Sequence, residues 1–181
     1  YSKTLVSINE QAINSKINIL ALSNNKSLAK KGVWIFGVDP KEQTERVLDY
    51  ALERGMNRTA ALLPQNSYGL LLFETISNYA RQGALQPVRI EFYEDNIKSQ
   101  RSAAKKLAKG FDEYESYIKK LEALEEEEIL KEVKKPFDNV IIAASGQALT
   151  VLASQLQYNN VAPEKIQYLG MSSWENFREN F

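Results

Sequence analysis

The 181-residue chain contains no cysteine and no histidine. Disulfides, thiolate nucleophiles, Ser-His relays and the commonest nitrogen ligand of metals are excluded together. Lys and Arg number 23, as do Asp and Glu, so the formal net charge is zero. A nucleic acid or an anionic membrane surface normally leaves an electrostatic footprint, and none is found here. No apolar run approaches the ~20 residues of a membrane span. The opening, Tyr1 to Gln11, is polar and mixed rather than basic and then apolar, so it does not read as a signal peptide; a mature or excised fragment would look the same. Absent cysteine fits an oxidising compartment that avoids stray disulfides and a reducing one that needs none, so it leaves the compartment open.

What is present is 44% hydrophobic and 10% aromatic. That suffices for the core of one large domain, or of a domain and part of another. Leu5, Ile8 and Ala12 fall at helical spacing within 2–15, and Ile17 to Ala21 reads as a strand. A polar loop follows, Ser23-Asn24-Asn25-Lys26, then a short strand from Gly32 to Gly37. Asp39-Pro40 opens a helix with a capping residue and a proline at its first position, and that helix ends by Gly55. From Arg58 the pattern becomes regular. Thr59 to Leu63 is a buried strand, Pro64 to Gly69 a turn, and Leu70 to Gln82 a helix closed by Gly83. Pro87 to Tyr93, Val140 to Ala144 and Ile166 to Gly170 read as further strands, with a helix from Gln147 to Tyr158. Strands alternating with helices, and apolar throughout rather than on one face, predict a parallel sheet covered on both sides in a three-layer α/β arrangement.

The charged stretch 99–135 interrupts this pattern. Ala104, Leu107, Phe111, Tyr114, Ile118 and Leu121 step by three and four, which predicts a crossover helix extended by a charged helical insertion and bent at Gly110. A straight helix of that length would measure on the order of 50 Å, so part of it is expected to project or to pack on a partner.

Catalysis finds little support. Without His or Cys, a nucleophile would need Lys, Tyr or a carboxylate as its activator, and no such spacing stands out. Glu125 to Glu128 occupy consecutive helical positions, which point around the axis and make a solvated face. Ser145-Gly146 lacks the flanking glycine of a nucleophile elbow, and no Gly-rich phosphate fingerprint occurs. The chain is therefore expected not to be an enzyme and to carry no metal or cofactor. Open parallel sheets bind ligands outside the carboxyl ends of their strands. The polar turns expected there offer Ser23, Asn24, Asn25, Tyr68, Ser145 and Gln147 as candidate ligand-binding residues. Ser and Asn are also the default helix caps, whereas Tyr68 adds an aromatic ring with a hydroxyl, suited to a cleft wall.

The run INILALSNNKSLAKKG, continued by VWIFGVDPKEQTERVLDYALERGMNRTAALLPQNSYG, resembles the type I periplasmic-binding-protein family in its leucine/isoleucine/valine-binding branch. The later DNVIIAASGQALTVLASQL and IQYLGMSSWENF are similar to that family's second-lobe strand-helix unit and the strand that returns toward the first lobe. YLGMSSWEN is especially similar to the penicillin-binding-protein activators, outer-membrane lipoproteins that stimulate peptidoglycan synthases. The resemblance covers nearly the whole chain except 99–135. It implies type I periplasmic-binding-protein lobes: a partial first lobe over 1–57, a second lobe over 58–165 that includes the insertion, and a returning strand over 166–181. Family members are about twice as long, so the chain is expected to be a fragment.

In amino-acid-binding members, small hydroxyl residues hold the ligand carboxylate and an acid holds its ammonium. The matching places here are Ser23, Asn24 and Asn25, then Ser145 and Gln147, with no acid. A free amino acid would thus leave its ammonium without a charged partner in a desolvated cleft. The function the resemblance implies is a non-catalytic periplasmic binding or regulatory domain, lipid-anchored through an upstream segment, with a peptidoglycan synthase as partner. The alternative is a receptor of an ABC importer for a small polar solute such as an amino acid or amide. Exposed fragment edges are further expected to favour strand exchange or dimerisation.

Overall fold

Backbone hydrogen bonding organises residues 14–15, 17–23 and 26–174, those described by this computed structural model, into two parallel sheets. The sheets fall in separate units, residues 1–43 and 44–181. In the first unit β1 (Ile19–Ala21) pairs with β2 (Val33–Ile35), with Leu20 beside Trp34. The expected helix over 2–15 lies outside the described residues except for Asn14 and Ser15. Asp39 caps the next helix as its sequence predicts: its Oδ1 accepts from the Lys41 N–H at 2.8 Å, and Pro40 is the first residue of α1 (Pro40–Glu53).

The second unit is built on β3 (Arg58–Pro64), whose five central residues are all buried. Its sheet has the order β4-β3-β5-β6, with every pairing parallel. The other strands are β4 (Gln86–Tyr93), β5 (Asn139–Ile142) and β6 (Gln167–Leu169). Continuous apolar sequence makes sense here because each strand serves two cores. Ala60, Leu62, Val140 and Ile142 face one side, against α3 (Ile97–Leu107), α4 (Phe111–Ala123) and α6 (Gly146–Tyr158). Ala61, Leu63, Ile141 and Ala143 face the other, against α1 and α2 (Ser67–Arg81). Each buried Leu or Ile contributes roughly 1.5–3 kcal/mol relative to exposure, and the period-2 alternation supplies both faces from the same few residues. The result is the predicted three-layer α/β arrangement. Segment 166–181, expected to run back toward a first lobe, begins as the fourth strand of this sheet, where Leu169 lies beside Ile141.

Two local expectations change. Helix α2 starts at Ser67 rather than Leu70, because Asn66 caps it by accepting the Gly69 N–H at 3.1 Å. The expected long helix over 99–135 is three helices, α3, α4 and α5 (Glu127–Glu132). Gly110, at φ +95°, adopts the left-handed conformation and turns the predicted bend into a full break. The apolar seam does not await a partner as far as Leu121. Ala104, Leu107 and Phe111 are buried in the core of this unit, and the Phe111 ring lies 4.9 Å from that of Phe137. Asn160 donates to Asp112 at 2.7 Å and Lys165 pairs with Glu115 at 2.6 Å, so α4 is tied to the turn before β6. The exposed run begins only at Glu122.

Candidate functional site

From β3 the chain passes through α2 to β4 on one side, whereas β5 and β6 add on the other. The carboxyl ends of β3 and β5 therefore flank a topological switch point, where loops leaving in opposite directions open a crevice. A crevice of about 480 Å³ lies there, lined by the segments Pro64–Asn66, Tyr93–Asp95 and Ala143–Ser145 together with Tyr68, Ala148 and Ser173. That size falls in the range of small-molecule sites.

Its floor is rigid. The Gln65 N–H donates to the Tyr93 carbonyl at 2.7 Å and ties the ends of β3 and β4 together. The buried Tyr93 phenol reaches across β3 and donates to the Ala143 carbonyl, also at 2.7 Å. Burial, with the neighbouring Tyr68 and Asp95, pushes the Tyr93 phenol far above its ordinary range. Burial pushes the Tyr68 hydroxyl up as well, so both phenols stay protonated donors. Gly69 lets α2 start directly over the end of β3, since a Cβ there would lie 1.9 Å from the Pro64 carbonyl oxygen.

The rim is polar. Glu94 and Asp95 are exposed, and Glu94 is oriented by Asn96, whose Nδ2 donates to Glu94 Oε2 at 3.1 Å. Asn96 in turn caps α3 by accepting the Ser99 N–H at 2.8 Å. Ser145 is the N-cap residue of α6, but its side chain makes no capping hydrogen bond. The far wall comes from the end of the described chain: Ser173 Oγ donates to the Ala144 carbonyl at 3.3 Å, and Trp174 Nε1 to that of Ile142 at 3.1 Å. The Trp174 indole rests on Gly170, where a Cβ would meet the ring at 2.1 Å. Gly170 and Trp174 of the YLGMSSW run are thus needed to fold the chain over the end of β5.

Of the residues singled out in the sequence, Tyr68 and Ser145 come together in the crevice. Gln147 is exposed on the first turn of α6 and does not line it, Ala148 taking that position. Ser23 is buried at the end of β1 in the other unit, with its N–H on the Ala21 carbonyl at 3.0 Å. Asn24 and Asn25 lie outside the described residues. Glu94 and Asp95 are the chief additions. The expectation of a site without an acid does not hold for this crevice, because the carboxylates enter after β4 rather than after β5. Their signal was in the sequence: Glu94-Asp95-Asn96 is a polar turn directly after a predicted strand, but it merges into the charged stretch that follows. Carboxylate acceptors beside phenol and hydroxyl donors suit a small polar ligand, an ammonium or a polyol above all. Among the described residues no group of acids could hold a metal ion, and no helix is long and apolar enough to cross a membrane.

A family described as LppC putative lipoprotein matches residues 3–176. An uncharacterized protein of Rickettsia prowazekii (strain Madrid E) is 30% identical over 112 residues, 62% of this chain and 30% of that protein. A branched chain amino acid ABC transporter periplasmic ligand-binding protein from Burkholderia xenovorans LB400 superposes with a TM-score of 0.61 at 14% identity, covering 97% of this chain and 42% of that one. Full-length LpoA from Haemophilus influenzae superposes with a TM-score of 0.54 at 14% identity, covering 93% of this chain and 26% of that one. An extracellular ligand-binding receptor from Verminephrobacter eiseniae gives 0.55 at 10% identity, covering 87% and 39%. The chain thus spans less than half the length of each of these proteins. At these identities the structures share the fold, which is that of type I periplasmic binding proteins.

Proposed function

Since the chain belongs to the LppC putative lipoprotein family, we propose that it is a non-catalytic binding and regulatory part of a lipid-anchored periplasmic protein. In this reading it acts on cell-wall synthesis through protein contacts, as the penicillin-binding-protein activators that its ending resembles do. The observation that supports it best is the reach of the family match. Residues 3–176 bracket the helices of 97–132 and take in the YLGMSSW ending, so nearly the whole chain falls within the span of the family match. We take the unit of residues 1–43 as part of a first lobe and that of residues 44–181, whose sheet includes β6 and packs on α1, as the second. Beyond Leu121 the excursion exposes Leu124 at 56% and Ile129 at 44% among the glutamates, a mixed surface suited to a protein partner. The test is retention of a purified peptidoglycan synthase on the immobilised chain. Retention at micromolar concentration, weakened by Leu124→Asp, is expected; no retention refutes the reading.

The crevice favours a second reading, a receptor for a small polar solute. Glu94 and Asp95 offer an ammonium the charged partner that the loops after β1 and β5 lack. A thermal-shift screen of amino acids, amides and sugars should then find one clear stabiliser, since a ligand at 100 times its dissociation constant contributes about 2.7 kcal/mol. Asp95→Asn should reduce the shift. A flat screen refutes this reading and leaves the first intact.

A further inference from the structure

The outer edge of the four-stranded sheet is β4, which has β3 as its one strand neighbour among the described residues. At eight residues it exceeds the usual strand of 5–6 or so. The Tyr93 carbonyl is turned toward β3, where it accepts the Gln65 N–H. Successive residues of a strand present their N–H and C=O groups to opposite edges. Phe92 shares no such bond direction with Tyr93, so Phe92, and with it Ile90, turn their backbone groups outward.

Around Ile90 the strand is self-complementary. Val88-Arg89-Ile90-Glu91-Phe92 alternates apolar and charged residues symmetrically, and the charge changes sign across the centre. We propose that this edge docks on a second copy of the chain, pairing antiparallel about a two-fold axis at Ile90 and joining two four-stranded sheets into one. Ile90 then faces the partner's Ile90 through outward backbone groups, Arg89 faces the partner's Glu91, and Val88 faces the partner's Phe92. A parallel approach in register would set Arg89 against Arg89, so the charges select the antiparallel one. A two-fold axis also closes the assembly at two copies.

Three observations support the site. Arg89 is fixed in place, because its Nη1 donates to the carbonyls of Lys106, Leu107 and Lys109 at 3.1, 2.8 and 2.7 Å, so an opposing carboxylate meets a stationary cation. On the other face, Val88 is 39% exposed, and α2 presents Leu70 and Phe73, at 55% and 39%, on one side of the helix. The Phe73 ring lies 5.9 Å from that of Phe92, which brings this apolar flank to the strand edge. Finally, of the features that blunt an edge, Pro87 precedes the five residues that would pair and the register shift opposite Thr59/Ala60 falls at Val88, the outermost of them, so Arg89 to Phe92 on either side of the axis stay regular.

Sedimentation equilibrium of the native chain should give a mass near twice 20.6 kDa at tens of micromolar, and Ile90→Pro, which deletes the outward N–H at the axis, should give the monomer. Because the chain has no cysteine, Ile90→Cys introduces a single thiol. Opposed residues of a hydrogen-bonded antiparallel pair lie about 5.5 Å apart at Cα, within disulfide reach. Mild oxidation should therefore cross-link Ile90→Cys at least tenfold faster than Tyr158→Cys, a control at a position 83% exposed. Rapid cross-linking supports the proposal even where the native dimer is too weak to sediment. Cross-linking no faster than the control overturns it, as does a native dimer that survives Ile90→Pro.

Discussion

Replacing Gly69 with alanine should loosen the turn on which the crevice is built. A Cβ at this position falls 1.9 Å from the Pro64 carbonyl oxygen and 2.9 Å from its carbon. Both are backbone atoms, so no change of rotamer relieves the overlap. Restoring an ordinary carbon–oxygen separation of about 3.3 Å moves the first turn of α2 off the end of β3 by more than about 1 Å. Overpacking of this kind costs about 1–3 kcal/mol. The displacement also stretches the 3.1 Å bond from the Gly69 N–H to Asn66 Oδ1, and losing a cap costs about 1 kcal/mol more. A total of about 2–4 kcal/mol follows. With an m-value of about 2 kcal/mol/M, the middle of the usual range, the urea midpoint followed by circular dichroism should fall by roughly 1–2 M at unchanged slope. Asn66→Ala, which removes the cap but adds no atom against Pro64, is the internal standard. If Gly69→Ala unfolds no earlier than Asn66→Ala, the close approach of helix and strand is not what requires glycine here.

Tyr93→Phe should cost about 1–3 kcal/mol by leaving the Ala143 carbonyl without its buried donor, read as an earlier urea midpoint. Gly110→Ala meets no neighbour within 4 Å, so its cost is conformational, about 1–2 kcal/mol for an L residue in the left-handed region, and Gly110→Asn should recover part of it. The Tyr79 phenol is pushed up from 10.0 to about 12, first by burial, then by its hydrogen bond to Asp49. Folding therefore favours the protonated form: this stabilisation is complete below pH 10 and is lost as pH rises through about 12. Melting temperatures measured across that interval should fall less steeply for Tyr79→Phe.

The layered fold was legible because period carries it. Ala60 to Leu63 and Val140 to Ala143 are apolar at every position, which only a sheet covered twice can use, and Asp39-Pro40 marks a helix start that the fold keeps. Less legible was anything decided by one residue's backbone. Asn66 moved the start of α2 by three residues, and Gly110 divided a seam whose spacing alone reads as one helix. At the site, two residues drawn from the turns that follow strands, Tyr68 and Ser145, lie in the crevice wall. Gln147 was lost to the 100° or so between successive helical positions, which aims it away while Ala148 lines the wall. Glu94 and Asp95 went unnoticed because charge dense enough to look like a solvated helix hid a rim residue within it. Ser173 and Trp174 are brought over β5 by a contact spanning about thirty residues, which no local pattern encodes.

The central position of β3 also bears on how the molecule assembles and lengthens. Its pairing with β4 closes through one helix, whereas its pairing with β5 must wait for everything between Tyr93 and Asn139, as the bond from the Arg58 N–H to Asp138, 80 residues apart in sequence, records. Ring-closure entropy grows only logarithmically, about 0.6 kcal/mol for each doubling of the intervening segment. That crossover is accordingly where residues can be gained at little thermodynamic expense, and the toll falls on the rate at which the second half of the sheet arrives.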